Sequence, residues 1–440
     1  MAQKKESRTQ EMQLAAAKIP AEAWPYALPE GWTWVRLGKI FEVNPKNKAD
    51  DATMASFITM ADIAAGMVSE FQTTEKMWGE IRKGHTQFAD GDVAFAKISP
   101  CFENRKSMIV RGLKNGIGAG TTELIVLRSP FFDPRFVFYL ISTEDFIHRG
   151  VATYRGVVGQ QRINMNFVKE YPVPLPPMDE QKRIVRRIES LFSKLDVVAE
   201  KIDAADAAFV AQKNALLHAA FDGTLTGEWR NKNSEGAEKT MVDKIPVNWE
   251  WKLLGKVARW GSGGTPARKN PEYYHGNILW IKSGELKEKY IFDTEEKITQ
   301  KAVEESSAKI FPEYTVMIAM YGATIGQVAI MGKEATTNQA VACAVCSEKL
   351  SHEYLYYFLI SQKERFEQLG RGGAQPNISQ MILKKYQIPL PPLPEQREIV
   401  RRLDALLGRL ARARAAVGEA RAQIASLRTS ILARAFRGEL

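Results

Sequence analysis

The sequence predicts a mixed α/β fold in which two globular modules are separated by two long helices packed as an antiparallel coiled coil. Three observations carry that expectation: the chain is written twice, each copy ends in a long heptad stripe, and between those ends the apolar runs are short. At 440 residues the chain also exceeds the size at which one core keeps growing, so more than one domain is expected.

The repeat sets the layout. Tyr171-Pro172-Val173-Pro174-Leu175-Pro176-Pro177 returns as Tyr386-Gln387-Ile388-Pro389-Leu390-Pro391-Pro392, an offset of 215 (386 less 171). At the same offset Glu180-Gln181 returns as Glu395-Gln396, Ile184-Val185-Arg186-Arg187 as Ile399-Val400-Arg401-Arg402, and Ala220-Phe221-Asp222-Gly223 as Ala435-Phe436-Arg437-Gly438. The starts match too, Trp32-Thr33-Trp34 with Gly38-Lys39 against Trp249-Glu250-Trp251 with Gly255-Lys256. Between them Thr121-Thr122 is matched to Thr336-Thr337 and Gln160-x-x-Ile163 to Gln375-x-x-Ile378, while most other residues differ. A shared scaffold with different surfaces is expected. It divides into an N-terminal segment 1–26, modules 27–175 and 245–390, helical spacers 176–230 and 391–440, and a linker 231–244.

After each Leu-Pro-Pro, apolar residues alternate in steps of four and three. They are Ile184, Ile188, Leu191, Leu195, Val198, Ile202, Ala205 and Phe209 in the first copy. In the second they are Ile399, Leu403, Leu406, Leu410, Ala413, Val417, Ala420, Ile424, Leu427 and Ile431. That is a coiled-coil seam, and the nearest chain carrying the same seam is the other copy. Asp179 is expected as an N-cap, Pro394 in a first turn, and Gly223 and Gly438 as stops. Residues 1–26 have no counterpart at the start of the second module, unless the linker 231–244 is their degenerate equivalent, and are expected to form a short helix.

The modules read as short strands, among them 93–98, 123–127, 278–281, 316–320, 327–331 and 340–345, with matching helices at 136–142 and 354–361. Cys343-x-x-Cys346 overlaps such a strand without a second ligand pair, so buried thiols are expected rather than a metal or redox site; no metal or cofactor is expected in this chain. Hydrophobic residues at 45%, charged residues at 25%, and no apolar stretch of membrane or signal-peptide length indicate a soluble, cytoplasmic protein. A net charge of +10 suits a polyanionic partner, though it is moderate for this length.

The loops gather groups suited to DNA. In the first module these are Lys46, Asn47 and Lys48; Lys97 with Asn104, Arg105 and Lys106; and Gln160 with Arg162. In the second they are Thr265, Arg268 and Lys269 in a Gly-rich loop, Lys282, then Tyr321, Thr324 and Gln327, and finally Arg371, Gln375 and Asn377. Arginine reads guanine through two donors, Asn and Gln read adenine, and Lys and Thr serve phosphates or single base edges.

Leu175-Pro176-Pro177-x-x-Glu180-Gln181 and its copy Leu390-Pro391-Pro392-x-x-Glu395-Gln396 resemble the paired signature of type I restriction-modification specificity subunits. Leu28-Pro29-x-Gly31-Trp32, Gly263-Gly264-Thr265-Pro266 and Thr337-Asn338-Gln339-Ala340 extend the resemblance over nearly the whole chain. The resemblance implies two target recognition domains, each reading half of a split, asymmetric double-stranded DNA site, with the helices as a ruler. It also implies that the helices dock two methyltransferase subunits, with Glu180, Gln181, Arg183, Glu395, Gln396 and Arg397 as the docking candidates. In that family the chemistry belongs to partners: methyltransferases using S-adenosylmethionine, and motor-nuclease subunits using ATP and Mg2+.

No catalytic residue is assigned to this chain. It lacks a G-x-x-x-x-G-K-[ST] loop and an H-E-x-x-H, and Glu285-Leu286-Lys287 is a nuclease-like fragment too short to weigh. Two other classes stay open at this point, a divergent enzyme and a coiled-coil interaction protein without DNA function.

Overall fold

The computed structural model describes residues 2–157, 159–233, 241–242, 245–370 and 377–440. The chain forms two compact units, Met1–Ile202 with Glu419–Leu440, and Asp203–Gly418. Each unit therefore holds one globular module and one end of each long helix.

In the first unit a four-stranded antiparallel sheet orders Glu42–Val43, Leu124–Arg128, Val93–Ala96 and Ser107–Ile109. A second orders Thr74–Met77, Met54–Ile58, Ile117–Gly120 and Thr86–Ala89, its central pair parallel. The second unit repeats the plan. Ala258–Ser262, Val341–Cys346, Val316–Ala319, Val328–Met331 and Tyr290–Ile291 form one sheet; Lys297–Ile298, Tyr274–Ile281, Ala335–Thr337 and Ile310–Phe311 form the other, again with a parallel centre. Val93–Ala96, Val316–Ala319 and Val328–Met331 are buried at every position, which is why they read as continuous apolar runs and not as alternation. Cys343 lies in the buried part of Val341–Cys346, and burial pushes its thiol and that of Cys346 up to about 12, away from reactivity.

Hydrogen bonds fix how the copies correspond and correct one sequence match. Thr121 N donates to Ile58 O at 3.3 Å as Asn338 N does to Ile281 O at 3.0 Å. Glu123 N then donates to Thr121 Oγ1 as Ala340 N does to Asn338 Oδ1, both at 3.2 Å. Thr121-Thr122 thus corresponds to Asn338-Gln339 and not to Thr336-Thr337. The shared threonines are a coincidence of identity two residues out of step.

Each module is closed by a two-stranded antiparallel ribbon, Thr33–Arg36 with Pro172–Leu175 and Glu250–Leu253 with Gln387–Leu390. Prolines are tolerated there because a ribbon strand has a free edge. The long helices follow at Met178–Phe221 and Leu393–Phe436, 44 residues each, about 66 Å at 1.5 Å per residue. Asp179 falls inside the first turn, where its charge favours the helix N-terminus, and not at the N-cap. Gly223 and Gly438 stop the helices at φ +84° and +76°. A Cβ on Gly438 would lie 2.2 Å from Pro29 and one on Gly223 2.3 Å from Pro246, so each glycine also seats the proline that opens its unit's module. The N-terminal segment forms the helix Ala2–Ala17.

The heptad seam is interrupted. Ile184, Ile188, Ile202, Ile399, Leu403 and Ile424 are buried, but Val198 and Leu427 are about half exposed and Ala413 is exposed. Burial is deepest at the helix ends. There Val185, Leu432 and Phe436 join the first module's core, and Leu217, Phe221 and Val400 join the second's. Among the described residues, no helix is long and apolar enough to cross a membrane.

Candidate nucleic-acid interface

In the first module several sequence candidates turn inward. Asn47 donates its amide to Phe88 O at 2.9 Å and accepts from Arg128 at 3.0 Å. Arg105, held at φ +54°, donates to Ser142 O at 3.0 Å and to Glu144 at 2.6 Å. Lys106 Nζ donates to Met60 O at 2.8 Å. These three half-buried side chains brace loops, with their polar groups already hydrogen-bonded within the module. Lys46, Lys48, Asn104 and Gln160 are exposed, and Lys97 stands half-buried at the end of its strand.

Arg162 is exposed and oriented. Its Nε and Nη2 donate to the two carboxyl oxygens of Glu123 at 2.9 and 2.8 Å, and Nη1 donates to Gln160 O at 3.0 Å. The hydrogen bond from Arg162 holds the Glu123 carboxyl below its usual range.

In the second module the Gly-rich loop is lashed down. Trp280 Nε1 donates to Gly264 O at 3.0 Å and the Tyr274 hydroxyl to Pro266 O at 2.6 Å. The Arg268 guanidinium lies 4.8 Å from the Tyr274 ring centre and 5.0 Å from that of Trp280, while bonding Glu296. Lys282 reaches the same Glu296 and Glu295, each at 3.0 Å. Hydrogen bonds from Arg268, then Lys282, bring the Glu296 carboxyl down to about 2. Gly263 and Gly264 are required, because a Cβ would lie 1.9 Å from Thr337 O and 2.1 Å from Ser307 Oγ. Thr265 bonds Gln339 at the exposed apex, beside an exposed Lys269.

Tyr321 and Asn377 are exposed and paired by a backbone bridge. Thr324 Oγ1 instead donates to Tyr321 O at 3.0 Å, and Gln327 is half-buried. Arg371 and Gln375 lie outside the described residues. Sequence reasoning missed Glu123 and Glu296, the carboxylates that aim Arg162 and Arg268. The available signal was an acidic residue immediately before a strand, as each is. Glu285 accepts from the backbone N–H of Lys282 and Glu295 at 2.7 and 2.8 Å, a structural use for the nuclease-like fragment. Among the described residues no His, Cys, Asp and Glu group could hold a metal ion.

The docking candidates divide. Gln181 and Gln396 are fully buried, donating to Pro176 O and Phe131 O, and to Pro391 O and Lys349 O. Glu395 is buried against Arg230 and Trp249. These three side chains therefore cannot meet a partner, a correction to their assignment. Glu180 and Arg183 pair at 2.7 Å near the surface, and Arg397 is exposed.

The match to known proteins is decided by two stretches, residues 29–205 and 246–416, which fit the type I restriction modification DNA specificity domain. This chain belongs to the family of type I restriction-modification specificity subunits. The EcoEI specificity subunit of Escherichia coli is 28% identical over 88% of this chain and 79% of its own length. The Escherichia coli EcoAI subunit is 41% identical over 42% of this chain and 32% of its own length. That of MjaIX from Methanocaldococcus jannaschii is 34% identical over 37% of this chain and 38% of its own. Two solved structures share the fold. A chain from the structure of complex assembly and conformational transition of the type I R-M system matches with a TM-score of 0.77 at 24% identity, over 94% of this chain and all of that one. The HsdS subunit of Thermoanaerobacter tengcongensis matches at 0.61 with 23% identity, over 94% and 99%. The specificity subunit thus carries two DNA recognition domains and is a non-catalytic member of a restriction-modification complex.

Proposed function

We propose that residues 27–175 and 245–390 each read one half of a bipartite, asymmetric double-stranded DNA site, and that the helical spacers 176–230 and 391–440 fix the gap between the halves. The carrying observation is one backbone framework, hydrogen-bonded alike in both modules, presenting different side chains. Equivalent frames would approach equivalent stretches of duplex, and unlike side chains would select unlike bases.

The spacers act as an antiparallel coiled coil. Within one unit Arg183 bonds Leu440 O and Arg428 bonds Asp196; within the other Arg414 bonds Asp206 and Arg402 bonds Leu225 O. As numbers rise on one helix they fall on the other, which supports that direction. Exposed Arg183 and Arg397, with the half-buried Glu180 and the half-exposed Val197 and Val198, suit the docking of two methyltransferase subunits. Those partners bring S-adenosylmethionine, and restriction subunits bring ATP and Mg2+; the complex works in the cytoplasm.

The test is selection of bound duplexes from a library with two randomised half-sites, followed by methylation mapping once a methyltransferase subunit is added. Two fixed half-sites at a fixed gap are expected, with adenine methylation appearing only in the complex. Inserting seven residues into both helices should lengthen the gap and leave the half-sites unchanged. Binding without sequence preference, or half-sites that change with helix length, overturns the proposal.

A further inference from the structure

One junction is built identically in both modules and differs only in what it presents. In the first, Ile163 N donates to Lys97 O at 3.0 Å and Lys97 N to Glu123 O at 2.8 Å. In the second, Ile378 N donates to Met320 O at 3.0 Å and Met320 N to Ala340 O at 2.9 Å. The next residue along completes the match, since Ile98 bridges Arg162 where Tyr321 bridges Asn377. Arg162 therefore stands where Asn377 stands, Glu123 where Ala340 stands, and Lys97 where Met320 stands.

The free donors of Arg162 have a definite geometry. A guanidinium carries five N–H groups in a rigid plane. Glu123 takes the Nε proton and one on Nη2, along one edge, and Gln160 O takes one on Nη1. What remains is one proton on each Nη, a two-donor fork in one plane. That fork spans two adjacent acceptors, as guanine O6 and N7 are. The replacement in the second module is concerted: with an amide in place of the guanidinium, the orienting carboxylate gives way to a methyl group. Asn377 can donate through its amide nitrogen and accept through its amide oxygen side by side, the pattern that matches adenine N7 and N6.

We propose that Arg162 is a specificity-determining residue of the first domain, reading a guanine in its half-site with Glu123 as its positioning residue, and that Asn377 holds the same post in the second domain and reads an adenine. This rests on the DNA-reading function proposed above.

The test uses the full chain and the doubly randomised duplex library, with base preference read at every position and affinity read against salt. Arg162→Asn combined with Glu123→Ala is expected to move one position of the first half-site from G·C to A·T by about tenfold or more, leaving the second half-site unchanged. Arg162→Lys keeps the charge without the fork; it should abolish discrimination at that one position while the slope of log affinity against log salt stays the same. Glu123→Ala alone should weaken discrimination there with Arg162 intact. Asn377→Arg with Ala340→Glu should impose guanine at one position of the second half-site. If Arg162→Asn and Arg162→Lys both leave every base preference unchanged, and the salt slope becomes shallower by about 0.9 with Arg162→Asn alone, Arg162 is a phosphate contact and the proposal is wrong. If both preference and slope are unchanged, it touches no DNA and the proposal is equally wrong. A wild-type chain with no preference at any position would instead overturn the function on which the proposal rests.

Discussion

The signature Leu-Pro-Pro-x-x-Glu-Gln occurs twice, and its two final residues have had opposite fates. Gln181 and Gln396 do one job in both units. Each donates to the carbonyl five residues earlier and accepts from a backbone N–H, of Asp133 at 2.9 Å or Ser351 at 2.8 Å, so it ties a helix start to its module. Glu180 and Glu395 do not. Glu180 pairs with Arg183 near the surface, whereas Glu395 is 1% exposed and accepts from Thr226 at 2.8 Å, Arg230 at 2.8 Å and Trp249 at 3.0 Å. Identical residues in a repeat are thus not equivalent until their surroundings are compared, because burial decides what a charge is worth.

That contrast can be broken most sharply at Glu395. Glu395→Ala leaves Arg230 buried without its partner and should cost about 3–5 kcal/mol, read as a lower urea midpoint with faster hydrogen exchange confined to residues 203–418. Gln181→Ala and Gln396→Ala each strand buried backbone groups and should cost about 1–3 kcal/mol, equally in the two units. Unequal losses would show that the glutamines have diverged as well. Glu180→Ala removes a surface pair and should change stability by no more than about 1 kcal/mol in the same melts. Smallest of all is an acid effect at Glu398, whose carboxyl is brought to about 2 by hydrogen bonds from Arg401 and Arg402, from an ordinary 4.5. A depressed folded-state value means the pair stabilises above about 4.5 and that this is lost as pH falls towards about 2. Wild type and Glu398→Gln should differ at pH 6 and converge by pH 2 in urea titrations.

Much of the fold was legible because it is periodic. The offset of 215, the four-three alternation and the two stop glycines each recur, and a recurring signal survives local noise. The seam's exposed members were not legible, since alternation tells which face is apolar and not whether a partner covers all of it; Val198 and Leu427 carry the pattern and remain half exposed. The site was less legible for a different reason. Lys106 finds Met60, Asn47 finds Phe88 and Arg105 finds Ser142 across 46, 41 and 37 residues of chain, and no local spacing announces such bonds. Residue type showed which groups could read a base. Only the fold showed which of them had already been claimed.

The ribbon that closes each module has one more consequence. Thr33–Arg36 and Pro172–Leu175 run side by side, so the chain enters and leaves the first module through a single narrow gate, and Glu250–Leu253 with Gln387–Leu390 makes the same gate for the second. With ends so close, everything between can be exchanged as a cartridge. A foreign module needs only a proline to seat on the helix-end glycine and two strands that pair in this register. A new recognition domain can then arise by recombination at two short borders, with both long helices left untouched.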